Sequence, residues 1–111
     1  SGKYDATGIH SSQAPRGRMS LFDRMTIQRC GRESSIAAAK RYNDVAREHG
    51  LTPTQLALAF CYGSWRVAST IIGVTTLAQL DEDIDAWNVQ LSPELLAACD
   101  ASRLEMRDPA N

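Results

Sequence analysis

One short run decides what this chain can fold into. Ser69 to Ile72 is the single stretch of the 111 residues that reads as a strand buried on both faces, β-branched and apolar at its end and stopped by Gly73. It passes straight into a helix. Thr75 or Thr76 can cap a helix beginning near Leu77, and Leu77, Leu80, Ile84 and Trp87 then fall on one stripe. A lone strand leaves both ladder edges open, and a parallel strand needs crossover-linked neighbours that this sequence does not contain. The expectation is the end of a larger α/β fold, cut away from the strands that flank residues 69–72. Association with another chain, a homo-oligomer included, is the other way to supply them.

The remaining segments read as helices behind a long loop. Residues 1–32 carry Gly2, Gly8, Pro15, Gly17 and Gly31 among Ser, Arg and Asp, which predicts a loop with at most one helical turn near Leu21 to Met25. A first helix runs from about Glu33 to His49, with Ala38, Tyr42, Val45 and His49 on its apolar-leaning face and Gly50 as its stop. Thr52, Pro53 and Gln55 then spell a capping box, with Leu51 and Leu56 placed as a hydrophobic staple. The helix that follows, to about Tyr62, holds Leu56 to Phe60 without a polar residue, so it needs more cover than one neighbouring helix provides. Leu91, Ser92 and Pro93 repeat the start grammar for a last helix to about Met106, whose apolar positions are Leu95, Leu96, Cys99 and Met106. The organisation expected is a loop at 1–32, two helices at 33–62, a strand at 67–73, a helix at 76–88 and a last helix at 93–106.

A net charge of −1 and 43% hydrophobic residues describe an ordinary globular unit and argue against nucleic acid as a partner. The apolar runs are too short for a bilayer, and the polar first residues lack the regions of a signal peptide, so no membrane is expected and the location expected is cytoplasmic. Cys30, Cys61 and Cys99 are odd in number and lack metal-ligand spacing, so neither a structural disulfide nor a metal site is predicted.

The turn after residue 72 invites two readings. Gly73 lets a backbone come close to a ligand, and a capped helix start presents N–H groups and partial positive charge, which together suit a phosphate. Spacing alone favours an ordinary strand-to-helix connection whose acids solvate the helix, because the chain has neither GxGxxG nor GxxxxGK[ST]. Gln79, Glu82 and Asp83 lie off the apolar stripe, and Gln79 and Glu82 are helical neighbours.

Three motifs in order tip the balance: Ser1-Gly2-Lys3-Tyr4, then Gly50-Leu51-Thr52-Pro53-Thr54-Gln55-Leu56-Ala57-Leu58-Ala59, then Thr70-Ile71-Ile72-Gly73-Val74-Thr75-Thr76-Leu77-Ala78-Gln79-Leu80. With them the chain resembles the C-terminal third of an aldo-keto reductase, in the branch of Tas-like reductases and potassium-channel β subunits. The resemblance implies α/β architecture: a fragment of a (β/α)8 TIM barrel, mostly helical here, with one main parallel-type strand at about 69–72. It agrees with the rule that barrel phosphates sit at the loops after strands seven and eight.

The same resemblance implies an oxidoreductase segment that binds NADP(H), with a small carbonyl substrate in the full-length protein. Lys3 would contact the cofactor pyrophosphate, and Arg18, with Arg16 as the alternative, would make the second contact of the long loop. Gly73, Val74 and Thr75 would line the adenosine phosphate, while Gln79, Glu82 and Asp83 would face the adenosine end. Asp83 departs from the family, where Asn is usual; an ionised carboxylate accepts hydrogen bonds but cannot donate one to adenine. The family's catalytic Asp, Tyr, Lys and His belong to earlier strands, and no residue here matches them. Tyr42 and Tyr62 fit helix packing, and His49 fits a helix terminus, with no catalytic role needed. An inactive cofactor-binding portion of a reductase is therefore expected, against the alternative of a truncated interaction or regulatory module. DNA binding through the helix pair at Gly50 is a third idea, opposed by the charge and the apolar second helix.

Overall fold

The computed structural model describes Gln13, Gly17 and residues 31–109. Lys3, Arg16 and Arg18 lie outside the described residues, as does the rest of the loop expected over 1–32 apart from Gln13, Gly17, Gly31 and Arg32. Four α-helices follow: α1 (Glu33–Glu48), α2 (Pro53–Tyr62), α3 (Leu77–Asp85), continued by a 3-10 turn over Ala86–Asn88, and α4 (Pro93–Glu105). Helix α2 packs on α1 at one side and on α3 and its 3-10 turn at the other, while α4 packs on α1.

Local chemistry places each boundary. Helix α1 ends in a Schellman motif, in which the Leu51 N–H donates to the Ala46 carbonyl (2.9 Å) and the Gly50 N–H to the Arg47 carbonyl (3.0 Å). Gly50 sits at φ +73°, a conformation that glycine adopts without strain. Helix α2 opens with the expected capping box: Gln55 N–H donates to Thr52 Oγ1 (3.1 Å), and Thr52 N–H to Gln55 Oε1 (3.0 Å). Thr76 caps α3 through Gln79 N–H (3.2 Å), and Ser92 caps α4 through Leu95 N–H (3.1 Å). Helix α1 has no side-chain cap at Arg32. Its first turn is instead tied to the far end of the described chain, where the Ser34 and Ser35 hydroxyls both donate to the Pro109 carbonyl.

The core lies where α1, α2 and α4 meet. Val45 and Ala46, Leu56, and Leu95 and Cys99 form one buried cluster, with Tyr42, Leu51, Leu91 and Ala98 packed against it. Ser102 is buried beside them and donates its hydroxyl to the Ala98 carbonyl one turn back (2.9 Å), which removes the cost of a polar group there. On α1 the buried residues are Ala38, Val45 and Ala46, whereas His49 is exposed, its ring nitrogen 2.9 Å from the Val45 carbonyl.

One expectation is corrected, and the apolar stripe of α3 is placed. No strand occurs among the described residues, and residues 69–74 run irregularly with Ile71 97% exposed. The physical reason is the one that made the strand an orphan: no described segment lies alongside to exchange ladder hydrogen bonds with it. The apolar stripe of α3 is not its buried side. Leu77 and Trp87 are 79% and 71% exposed and Ile84 is exposed with them, while Asp83 and Ala86 are buried. Helix α3 meets α2 through polar bonds instead, because the Tyr62 hydroxyl donates to the Asp83 carbonyl (3.2 Å) and Tyr62 also leans on the Trp87 ring, centroids 5.3 Å apart.

Leu95 is 2% exposed and Leu96 41%. Leu95→Ala should therefore cost about 2–4 kcal/mol in urea unfolding, as a buried leucine does, and Leu96→Ala under about 1 kcal/mol. Backbone and Ser92 hydrogen bonds to Glu94 hold its carboxyl below the ordinary range, with His49 adding a smaller attraction. A lowered folded-state pKa stabilises fully above the unfolded value and is lost as pH falls through the folded one. The urea midpoint of the parent should exceed that of Glu94→Gln at neutral pH by a small margin, and the margin should close as pH drops through the carboxylate range.

Candidate functional site

The turn from Gly73 into α3 brings the polar residues of interest together. A Cβ added to Gly73 would meet nothing within 4 Å, and the φ of Gly73 is not in the left-handed region, so neither its own backbone nor its neighbours require glycine there. Two residues on, the Thr75 N–H and the Thr75 hydroxyl both donate to Gln79 Oε1, at 2.8 and 3.0 Å. Three donors at this helix start, the Thr75 N–H and hydroxyl and the Gln79 N–H, are thus each aimed at an oxygen. The first turn of α3 contains no acid, which leaves its partial positive charge uncompensated. All three donors are occupied by the chain's own Gln79 and Thr76 oxygens, so a phosphate on this acid-free helix start would have to take the place of the Gln79 side-chain oxygen to accept from Thr75.

The charge around this turn sets a condition. Residues 67–102 contain no Lys or Arg, while Asp81, Glu82, Asp83 and Asp85 follow on α3. A phosphate seated here needs its countercharge from elsewhere in the chain; the nearest basic residue in sequence is Arg66, which lies over the Trp65 ring 4.9 Å from its centroid.

The residues singled out from the sequence fall into three groups. Gly73, Val74, Thr75 and Gln79 are contiguous at the turn, with Gln79 half-buried and bonded back to Thr75. Glu82 lies one helical turn further and accepts from the Thr52 hydroxyl at 2.7 Å. Asp83 faces α2, 7% exposed, with its backbone carbonyl held by Tyr62. Thr52 and Tyr62 are the neighbours that sequence reasoning missed as parts of this region. Each pairs with α3 across 30 or 21 residues, a separation that leaves no periodic trace.

A second concavity is apolar. A hollow of about 590 Å³ between α1, α2 and α4 is walled by Tyr42, Leu56, Ala57, Phe60, Leu96 and Cys99. It accounts for the incomplete cover expected of the second helix, since Phe60 is 54% exposed. Burial pushes the Cys99 thiol above its usual range, which makes it a packing group and a poor nucleophile at neutral pH. No group of three metal-ligating side chains occurs among the described residues, and none of their helices is long and apolar enough to cross a membrane.

An irregular segment leading into a capped helix does not define a class by itself, and comparison with known proteins supplies it. The profile of the Aldo/keto reductase family matches residues 2–103, so the chain belongs to that family, whose fold is a (β/α)8 barrel. Among its relatives, "Protein tas" of Escherichia coli (strain K12) is 39% identical over 100 residues, covering 90% of this chain and 27% of that protein. "Protein tas" of Shigella flexneri matches with the same identity and coverage. The chain therefore spans about a quarter of the length of these relatives.

Gln79→Ala removes the oxygen that holds the Thr75 N–H. Amide exchange at Thr75 should accelerate several-fold in that variant while exchange in the middle of α4 stays unchanged, which hydrogen-exchange NMR would resolve.

Proposed function

We propose that this chain is the cofactor-binding C-terminal portion of an NADP(H)-dependent aldo-keto reductase and is inactive without the remainder of the barrel. The observation that carries the reading is the acid-free start of α3, where the Thr75 N–H and hydroxyl converge on the Gln79 side-chain oxygen two residues after Gly73, within a family of oxidoreductases. Gly73, Val74 and Thr75 hold the adenosine phosphate. Gln79, Glu82 and Asp83 serve the adenosine end, and Lys3 with Arg18 or Arg16 neutralises the phosphates. NADPH, when bound, supplies the hydride for a small carbonyl substrate. The chain's own residues bind and orient the dinucleotide, and the proton donor comes from earlier strands of the barrel. The expected location is the cytoplasm.

The bare faces support the same reading. Ile71 on one side and Leu77, Ile84 and Trp87 on another are too exposed to have been selected for water, and the remaining strands and helices of a barrel give them cover. These faces also support a second reading, a truncated non-catalytic module that packs them against a partner chain. An in-frame upstream sequence encoding the missing strands favours the first, and an independent start immediately before this segment favours the second.

The test is NADPH fluorescence titration with a steady-state carbonyl-reduction assay on the full-length protein whose reading frame contains these residues. Lys3→Ala and Thr75→Ala should each weaken NADPH binding by about 1–2 kcal/mol, the worth of a hydrogen bond to a charged group. Turnover at saturating cofactor should change less, because contacts remote from the reacting carbon bind ground and transition states alike. The 111 residues alone should reduce no carbonyl. Unchanged affinity in both variants, or turnover by the isolated chain, would overturn the proposal.

A further inference from the structure

We infer that Thr52, at the start of α2, is a positioning residue for the adenosine end of the cofactor site, acting through Glu82; the inference rests on the cofactor reading above. The Thr52 hydroxyl makes two bonds. It accepts from Gln55 N–H at 3.1 Å and donates to Glu82 Oε1 at 2.7 Å. A hydroxyl has one proton, and the Gln55 N–H uses a lone pair, so the proton is committed to Glu82. Thr52 is itself held, because its own N–H is bound by Gln55 Oε1 at 3.0 Å. The capping box of one helix thus fixes one carboxylate oxygen on another.

The consequence concerns the oxygen left over. Thr52 engages Oε1, which leaves Oε2 of Glu82 to accept from another group. Glu82 is three residues beyond Gln79, a rise of roughly 4.5 Å along α3 away from the turn with the oxygen-directed donors. An ionised carboxylate only accepts, so on a phosphorylated adenosine it seeks a donor distant from the phosphate, and the exocyclic amine of the base is that donor. Without Thr52 the glutamate side chain is free to swing away from its place on α3, and ordering it on binding costs rotamer entropy. Thr52 removes that cost in advance.

Two substitutions separate this role from helix capping. Thr52→Ser keeps both the cap and the proton. Thr52→Asp keeps a good N-cap but, ionised, donates nothing to Glu82 and sets a like charge beside it. The measurement is the ratio of affinities for NADPH and for its hypoxanthine counterpart, which has a carbonyl in place of the amine, on the full-length protein, with thermal unfolding of each variant alongside. The parent and Thr52→Ser should prefer NADPH. Thr52→Asp should lose roughly tenfold of that preference, the scale of one charge-assisted hydrogen bond, while its affinity for the hypoxanthine dinucleotide moves less. If Thr52→Asp keeps the preference, or weakens both dinucleotides equally, Thr52 is only a helix cap and the inference fails while the cofactor reading stands. A parent that binds neither dinucleotide overturns both.

Discussion

Three helices meet at one small cluster, and the rest of the structure depends on that contact. Leu95 and Cys99 from α4 reach Val45 and Ala46 of α1 and Leu56 of α2. Each helix is short, and a helix of 9 to 16 residues is marginal in water without tertiary cover. Helix α3 contributes nothing to the cluster. It is attached to α2 by hydrogen bonds and a ring contact, Thr52 to Glu82, Tyr62 to the Asp83 carbonyl and Tyr62 against Trp87. Such a joint sets the direction of α3 closely while adding less stability than a packed apolar seam would, since a net hydrogen bond contributes about 1 kcal/mol.

This arrangement explains why α3 looks reversed. Asp83 is buried and Gln79, Leu80 and Glu82 are half-buried, whereas Leu77, Asp81, Ile84 and Asp85, with Trp87 of the 3-10 turn, face out. The polar side against α2 carries Glu82, bonded to Thr52, and Asp83, whose carbonyl is held by Tyr62. Glu82 and Asp83 belong both to this seam and to the cofactor-facing residues we propose, so at those two positions fixing the helix and fixing the site coincide.

Features made by neighbours in sequence were legible; features made by distant pairs were not. The starts at Pro53, Leu77 and Pro93 were readable because Thr52, Thr76 and Ser92 bond to N–H groups only three residues away. Gly50 was readable as a stop because the Schellman bonds also close within a few residues. The strand expected at residues 69–72 is absent, because a strand depends on distant partners and no described segment lies alongside it. The apolar stripe of α3 was found, but periodicity reveals that a face exists and not which neighbour covers it. At the candidate site, Thr75 and Gln79 stood out by motif, whereas Thr52 looked like a cap alone until Glu82 was seen across 30 residues of chain.

The tie between Ser34, Ser35 and the Pro109 carbonyl joins the two ends of the helical segment. Residues 33–109 thus make a closed circuit, entered and left at the same corner. A segment with adjoining ends can be excised, circularly permuted or transplanted between related barrels without stretching its connections. The helices and the turn they carry can in that sense be exchanged between related barrels as a cassette.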